Sequence, residues 1–462
     1  MKKNDNLNLK GMLFLLIASL FVSCKKDFLS EQPDKSLFVP TSLSDFQSLL
    51  DNNSIMNKTT YLAFAGTDEV SVSDAGLQGA AVSVRNAYLW ADDVYQGAVQ
   101  LDWRGLYQQV FYTNIVMDGL KALPQQQDAV FKNVKGSALF YRSFAYFQLL
   151  QTYSLAYEQS TAESRLGIPI LLVSDVNQKY QRSSLKKSYQ QVIEDLETAS
   201  GLLPENASNV YRPNQAAVYA LLSRVYLSMG DFAKARSMAD ECLKRRSTLL
   251  DYNILSLNAS AATIPFPATI PVNLNPEVLF SSSMISTTFI NAATTVIAPE
   301  LLQSFATNDL RRAAFAYFRS NGAVTFKGKY SGNTLPFAGL ALDEVILTRA
   351  ECRARLGDAE GALADLNQLM KKRYAVGTFQ EYKLVDVQDL VGLILLERKK
   401  ELLFRGTRWM DLKRLNVDPK YAVTLTRNVG GKTYTLSPNS NKYALPIPDE
   451  EIINSGIQQN ER

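Results

Sequence analysis

The chemistry open to this chain is bounded first by what it lacks: its 462 residues include no histidine. That excludes nucleophile systems with an imidazole base, histidine acid–base work and nearly every common zinc site. Carboxylates, aromatics and three cysteines remain. Their densest grouping is Tyr88-Leu89-Trp90-Ala91-Asp92-Asp93-Val94-Tyr95. Binding a ligand without cleaving it needs ring faces that stack on its apolar faces, and planar polar groups that take its polar edges. Aromatic rings suit the first task because they bury large area in a specific geometry. Trp90, Asp92 and Tyr95 supply both kinds in a stretch without helical periodicity, although Trp90 would serve equally as a core anchor beside a helix starting near Trp103. Phe266, Phe289, Tyr317 and Phe318 are further candidate stacking rings. Asp68 and Glu69 fit the same cleft, an oxygen-ligated cation or a cap. A glycosidase would need two carboxylates about 5–9.5 Å apart. Asp92/Asp93 and Glu450/Glu451 are merely adjacent in sequence, so no catalytic residues, metal or cofactor are expected.

Cys24 points to chemistry of another kind. Lys2, Lys3 and Lys10 precede the apolar stretch Met12–Leu20, and Phe21-Val22-Ser23 leads into Cys24. A basic start, a short apolar run and a small residue before the cut form a secretory signal, and ending it at Cys makes it a lipoprotein signal. The apolar run is too short for a spanning helix, which needs about 20 apolar residues. The thiol of Cys24 is expected to carry the lipid and to begin the mature chain. Cys242 and Cys352 fall in apolar helical patterns and read as buried thiols, with a disulfide between them left open. Hydrophobic content of 46% and charged content of 20% are those of a folded globular protein. A net charge of +4 is no footprint for nucleic acid.

The elements that must position these groups are mostly helical. Trp103, Leu106, Val110, Asn114 and Met117 recur at helical spacing up to Pro124. Gly136–Ser154 carries apolar residues around most of its circumference, which predicts burial on nearly all sides. Ser188–Leu203 is amphipathic and stops at Pro204. Ser44 and Asp45 suit the start of a helix ending at Leu50. Helix Ala216–Met229, turn Gly230-Asp231 and helix Phe232–Leu243 are repeated in plan by Val345–Leu356, Gly357-Asp358 and Ala359–Met370. Ala235 and Ala362 follow the two glycines at the same offset and allow close helix approach. This is tetratricopeptide logic; an ordinary helical hairpin uses the same glycine stop. Residues 251–340 are rich in Ser, Thr, Asn and Pro, with short strands near Glu277–Phe280 and Ala323–Lys327, and such loops held by helices often carry binding. Leu390–Leu415 reads as one charged helix with a solvated face, on which Glu401 and Arg405 can pair. Leu445-Pro446-Ile447-Pro448 reads as an extended surface segment.

These motifs, in order, resemble one family. Cys24 followed by Asp27-Phe28-Leu29 is similar to its mature start. Trp103, Leu106-Tyr107 and Asn114-Ile115 resemble one family helix, and Arg142, Ala145 and Tyr146-Phe147 another. Arg212-Pro213 with Ala220–Leu227 resembles its first clear repeat helix, and Asp309-Leu310-Arg311 and Ala350-Glu351 match further short motifs. Glu397-Arg398, Glu401-Leu402, Phe404, Gly406, Arg408-Trp409 and Asp411-Leu412 form the most specific stretch. Leu445–Pro448, Glu451-Ile452 and Gln459-Asn460 close it. The chain is identified on these motifs as resembling the SusD/RagB family of outer-membrane lipoproteins.

The resemblance implies a mainly α fold of about four tetratricopeptide-type helix pairs with a loop-rich, irregular ligand-binding portion and short strands. It implies no catalysis. It places the chain on the outer membrane, lipid-anchored and facing outward, as a lid on a SusC-like TonB-dependent transporter to which it delivers glycan. An oligopeptide-binding lid of the same architecture and a tetratricopeptide scaffold are the alternatives. The expected organisation is a signal over 1–23, a tether over 24–60, first repeats over 61–250, an insertion over 251–340 and last repeats with the tail over 341–462. The candidate ligand-binding residues are Trp90, Asp92, Tyr95, Asp68, Phe266, Phe289 and Tyr317.

Overall fold

The computed structural model describes residues 40–124, 128–270 and 272–462. Helices α1 (Leu43–Leu50), α2 (Leu101–Ala122), α3 (Ala129–Tyr153), α4 (Leu185–Ser200), α5 (Gln215–Ser228), α6 (Phe232–Arg245), α7 (Leu342–Arg355) and α8 (Ala359–Met370) form its spine. Each from α2 onward packs on the next, and α1 lies against both α2 and α3. Local chemistry sets several of these starts. Ser184, Asn214, Asp231 and Asp358 each accept a backbone N–H from the first turn of α4, α5, α6 and α8, satisfying donors that have no partner inside the helix. The turns between α5 and α6 and between α7 and α8 pass through Gly230 at φ 75° and Gly357 at φ 88°, a left-handed conformation that costs glycine nothing. Ala235 and Ala362 are fully buried at the crossings. From Gly136 to Tyr153 nearly every residue of α3 is buried, as its all-round apolar pattern demands. Mainly α architecture with tetratricopeptide-type hairpins is therefore what the chain builds.

The segment between α6 and α7 is more than loop. Its strands β2 (Thr295–Ile297), β3 (Ala316–Phe318) and β4 (Val324–Phe326) join β1 (Val70–Val72) in an antiparallel sheet of order β1-β2-β4-β3, with Val70 opposite Ile297 and Tyr317 opposite Thr325. Val278–Phe280 pairs with Leu340–Ala341 and leads into α7. Short helices Pro299–Gln303 and Leu310–Phe315 complete it. Residues Leu43–Arg462 form one compact unit. Among the described residues no helix is long and apolar enough to cross a membrane. Cys242 and Cys352 are buried free thiols, both pushed up to about 12 by burial.

Two sequence expectations are corrected. Leu390–Leu415 is not one helix but two, α9 (Leu390–Glu401) and α10 (Arg408–Leu415). Phe404 at φ 60° and Gly406 at φ 73° turn the chain between them. Its charges do not face water either. Glu397, Arg398, Lys400, Glu401, Asp411 and Lys413 are all under 5% exposed, and each is paired or hydrogen-bonded. Arg311 joins Asp309, Glu397 and Glu401; Arg373 joins Glu277 and Glu401; Arg398 joins Asp411 at 2.9 Å, and Arg414 bridges Asp411 and Glu351. Arg405 pairs with Asp343, not with Glu401 as the spacing suggested. The second correction concerns the tail: Leu445–Pro448 is buried, with Leu445 N–H donating to Thr152 O at 2.9 Å.

Candidate functional site

Most of the residues nominated from sequence hold the fold together. Trp90 is 3% exposed and sits at φ 53°. Its indole N–H donates to Gly66 O at 3.0 Å, and the Arg427 guanidinium lies 4.6 Å from its ring centroid. Tyr95 is buried and donates its hydroxyl to Pro446 O at 2.6 Å. Phe266 lies among Tyr252, Phe315 and Tyr330, and Phe289 lies against Phe64. None of these four rings leaves a face open to a ligand, because each is under 9% exposed. The other three contact solvent. Asp92 is exposed and pairs with Lys442 at 2.9 Å. Tyr317 and Phe318 are half-buried on β3, with Arg319 and Arg312 over their rings.

Asp68 is held by Arg408 and Lys399, both at 2.7 Å. Burial alone would raise its carboxyl, but those two cations outweigh burial and hold it well below the usual range. Glu69 beside it has no such partner. Burial pushes it up to about 8; one oxygen accepts from Phe404 N–H and the other is unpartnered. Trp90, Asp92, Tyr95 and Asp68 thus come together, but as a clamp between residues 66–95 and residues 399–446. Cys24 lies outside the described residues. Among those residues no cluster of His, Cys, Asp and Glu is placed to hold a metal.

The open site lies elsewhere. A groove of about 610 Å³ runs between the end of α5, the end of α7 and the end of α10. Leu227, Met229, Leu415 and Val417 give it an apolar floor. On one wall the Arg355 guanidinium stacks between Phe232, 4.8 Å from its centroid, and Tyr421, at 5.2 Å. Arg355 is itself positioned by Glu351 at 2.9 Å and Asp418 at 3.3 Å. On the other wall Tyr157 sits edge-on to Tyr189 and donates its hydroxyl to Gln159 at 3.0 Å, and Glu158 pairs with Arg165 at 2.6 Å. Below, Arg414 is locked between Glu351 and Asp411. Burial would raise Asp411, but Arg398 and Arg414 bring it down to about 2, so the charges around Arg414 are fixed. The result is a cleft with rings, a planar guanidinium, an amide and two partly exposed carboxylates, a set suited to hydroxyl-rich ligands.

The sequence reading missed this site, although part of its signal was visible. Phe232 directly follows the Gly230-Asp231 turn, and Arg355 shortly precedes Gly357-Asp358, so both repeat turns feed the groove. Tyr157, Glu158 and Asp418 come from connections with no periodic signature.

Comparison with known proteins agrees with this architecture. A family described as starch-binding associating with outer membrane matches residues 27–227, and the SusD family matches residues 327–462. SusD-like protein P2 of Formosa agariphila is 24% identical over 465 residues, covering 87% of this chain and 87% of that protein. Among solved structures, a SusD superfamily protein from Bacteroides thetaiotaomicron is 23% identical with a TM-score of 0.73, covering 91% of this chain and 100% of its own. A SusD-like carbohydrate binding protein from Bacteroides vulgatus is 21% identical with a TM-score of 0.66, covering 90% and 97%. With helical hairpins in this order, a buried Glu397–Asp411 charge network and family matches to both ends, the chain belongs to the SusD/RagB family.

Proposed function

We propose that this chain is a glycan-binding protein held at the outer membrane by a lipid on Cys24, which captures oligosaccharide without cleaving it and passes it to a TonB-dependent transporter of the SusC type. The supporting observation is the groove at Phe232, Arg355 and Tyr157. It offers stacking and planar polar groups together, and its carboxylates and guanidinium groups are engaged with one another rather than poised for proton transfer. Of the alternative carboxylates, Glu451 accepts from the Trp103 indole N–H at 3.1 Å and from Tyr180 hydroxyl at 2.6 Å, and Asp92 pairs with Lys442. Membrane association is the description attached to the matched family, and the lipoprotein signal supplies its means.

The test is isothermal titration of the mature chain against a polysaccharide and oligopeptide panel, with Phe232→Ala in parallel. We expect saturable binding to at least one glycan and a loss of tenfold or more in the variant, about 1.4 kcal/mol, with the glycan recovered intact by chromatography. Binding of peptides with no glycan bound would overturn the sugar reading. Cys24→Ala is expected to leave the membrane fraction, and affinity capture of the wild type to retrieve an outer-membrane transporter.

A further inference from the structure

A second cavity, of about 340 Å³, opens where the loop before α5, the residue after α6, and Thr269, Val272, Asn273 and Val278 meet. Its polar lining carries one sign of charge. Asn206, Ser208, Asn209, Asn214, Arg246, Thr269 and Asn273 line it, and no carboxylate does. The asparagine oxygens are largely spent within the protein. Asn209 Oδ1 accepts from Tyr211 and Arg212 N–H, Asn214 Oδ1 from Ala217 N–H at 2.9 Å, and Asn273 Oδ1 from Asn275 N–H at 3.2 Å. A backbone N–H can only donate, so these bonds fix each amide with its oxygen inward to the chain; the Asn273 NH2 group donates to Val278 O at 3.3 Å, and those of Asn209 and Asn214 are left over. Asn214 lines this cavity and is 5% exposed, and its Nδ2 has no partner among the described residues. Arg246 forms no ion pair among those residues; the one hydrogen bond of its side chain is a long 3.4 Å contact from Nη2 to Pro276 O. The cavity therefore offers one guanidinium without an ion pair, two amide NH2 groups free to donate and no carboxylate.

A neutral sugar hydroxyl gains little from a fixed charge, so a lining with a lone guanidinium, spare NH2 donors and no carboxylate favours a group that only accepts. Charge-assisted hydrogen bonds to an oxyanion are about twice as strong as neutral ones, and a guanidinium matches a carboxylate or sulfate geometrically. We propose that this cavity is a subsite for an acidic sugar, taking the carboxylate of a uronic acid or a sulfate ester on Arg246, Asn209 and Asn214. This rests on the glycan-binding reading and narrows it to anionic polysaccharide.

The test is titration of the mature wild type and Arg246→Gln with oligogalacturonate, with a neutral galactan oligomer of the same length, and with sodium sulfate alone. We expect the acidic oligomer to bind at least tenfold more tightly than the neutral one, with an affinity that falls as salt rises. Arg246→Gln should lose tenfold or more for the acidic oligomer, with its affinity for the neutral oligomer and its thermal midpoint unchanged. Equal binding of the two oligomers, or an Arg246→Gln affinity like wild type, overturns the proposal while leaving glycan binding intact. Free sulfate binding as tightly as the acidic oligomer overturns the sugar part. Failure of every glycan, with sulfate still lost in Arg246→Gln, separates a failed glycan reading from a working anion site.

Discussion

At the scale of single residues, the acids that matter most to stability are those held without a cation. Asp102 is 1% exposed, and among the described residues its only hydrogen-bond partners are the backbone N–H groups of Tyr61 and Leu62. Burial raises it from 3.8 to about 7, with those N–H bonds acting against the shift. Between about pH 4 and 7 the unfolded chain releases this proton while the folded chain keeps it. The stability this group contributes is therefore fully present below pH 4 and is lost as pH rises through 7. The ceiling is about 4 kcal/mol at about 1.36 kcal/mol per unit. Asp102→Asn keeps the shape and one acceptor oxygen but does not titrate. Urea unfolding at pH 4 and pH 8 should show the wild type losing its advantage over Asp102→Asn by roughly 2–4 kcal/mol; a pH-independent difference would contradict a neutral folded Asp102. Asp102 was not legible in sequence as anything special, because its environment comes from residues some 40 positions upstream. Trp90 takes the core-anchor alternative of its reading, and the Arg427 brought over its ring comes from distant chain.

At the scale of elements, the helices were legible because their signals are local. Caps, apolar spacing and the two glycine turns lie within a few residues of each start and stop, and α4, α5, α6, α7 and α8 appear close to where those signals put them. The break between α9 and α10 has a local sign in Gly406, but Phe404 at a positive φ has none. Burial of the α9 charges was illegible, since alternating Glu, Arg and Lys describes a solvated face equally well until partners arrive from other elements. Those partners make α9 dependent on Arg311, which is fully buried and meets Asp309 at 2.7 Å, Glu397 at 2.5 Å and Glu401 at 3.2 Å. Removing one member of a buried charge set costs about 3–5 kcal/mol, because the others stay desolvated without compensation. Arg311→Met is therefore expected to destabilise the fold by that amount at pH 7. In the variant Glu401 keeps only Arg373, and Glu397 and Asp309 share only Lys400, so buried negative charge is left in excess; proton uptake relieves it, and the deficit should shrink as pH falls toward 5. Guanidinium midpoints at the two pH values check this; an equal deficit at both would mean that lost packing, not orphaned charge, is the cause.

At the scale of the whole molecule, the C-terminal residues are fastened to parts of the chain far from them in sequence. Gln459 bonds Ile447 through both its amide oxygen and its NH2 group. Asn460 donates to Tyr153 O and Leu445 O, and it accepts from Arg182, which also reaches Gln458 O. Arg462 donates to Ala444 O and Ala91 O, both at 2.8 Å. These bonds close α3, the strand region around Arg182, the buried Leu445–Pro448 segment and the turn after Trp90 into one structure. Sequence reasoning placed this tail on the surface because two prolines exclude a central strand. It overlooked that an extended segment can be buried when side chains satisfy its backbone, as Gln459 does for Ile447. Deleting residues 457–462 removes several partly buried hydrogen bonds worth about 1 kcal/mol each and strips Arg182 of two of its acceptors. A loss of about 5 kcal/mol follows, which for a unit of this size lowers the thermal midpoint by roughly 5 °C. Among the described residues the helices of the spine make no hydrogen bond to 457–462 beyond Tyr153, so circular dichroism should keep its helical amplitude. The turn over Ala91–Gln100, released from Arg462 and from Tyr95's bond to Pro446, should become the first site of limited proteolysis. Cleavage that instead begins in the α5–α6 hairpin would show that the tail supports the repeat spine directly, and not the clamp around Trp90.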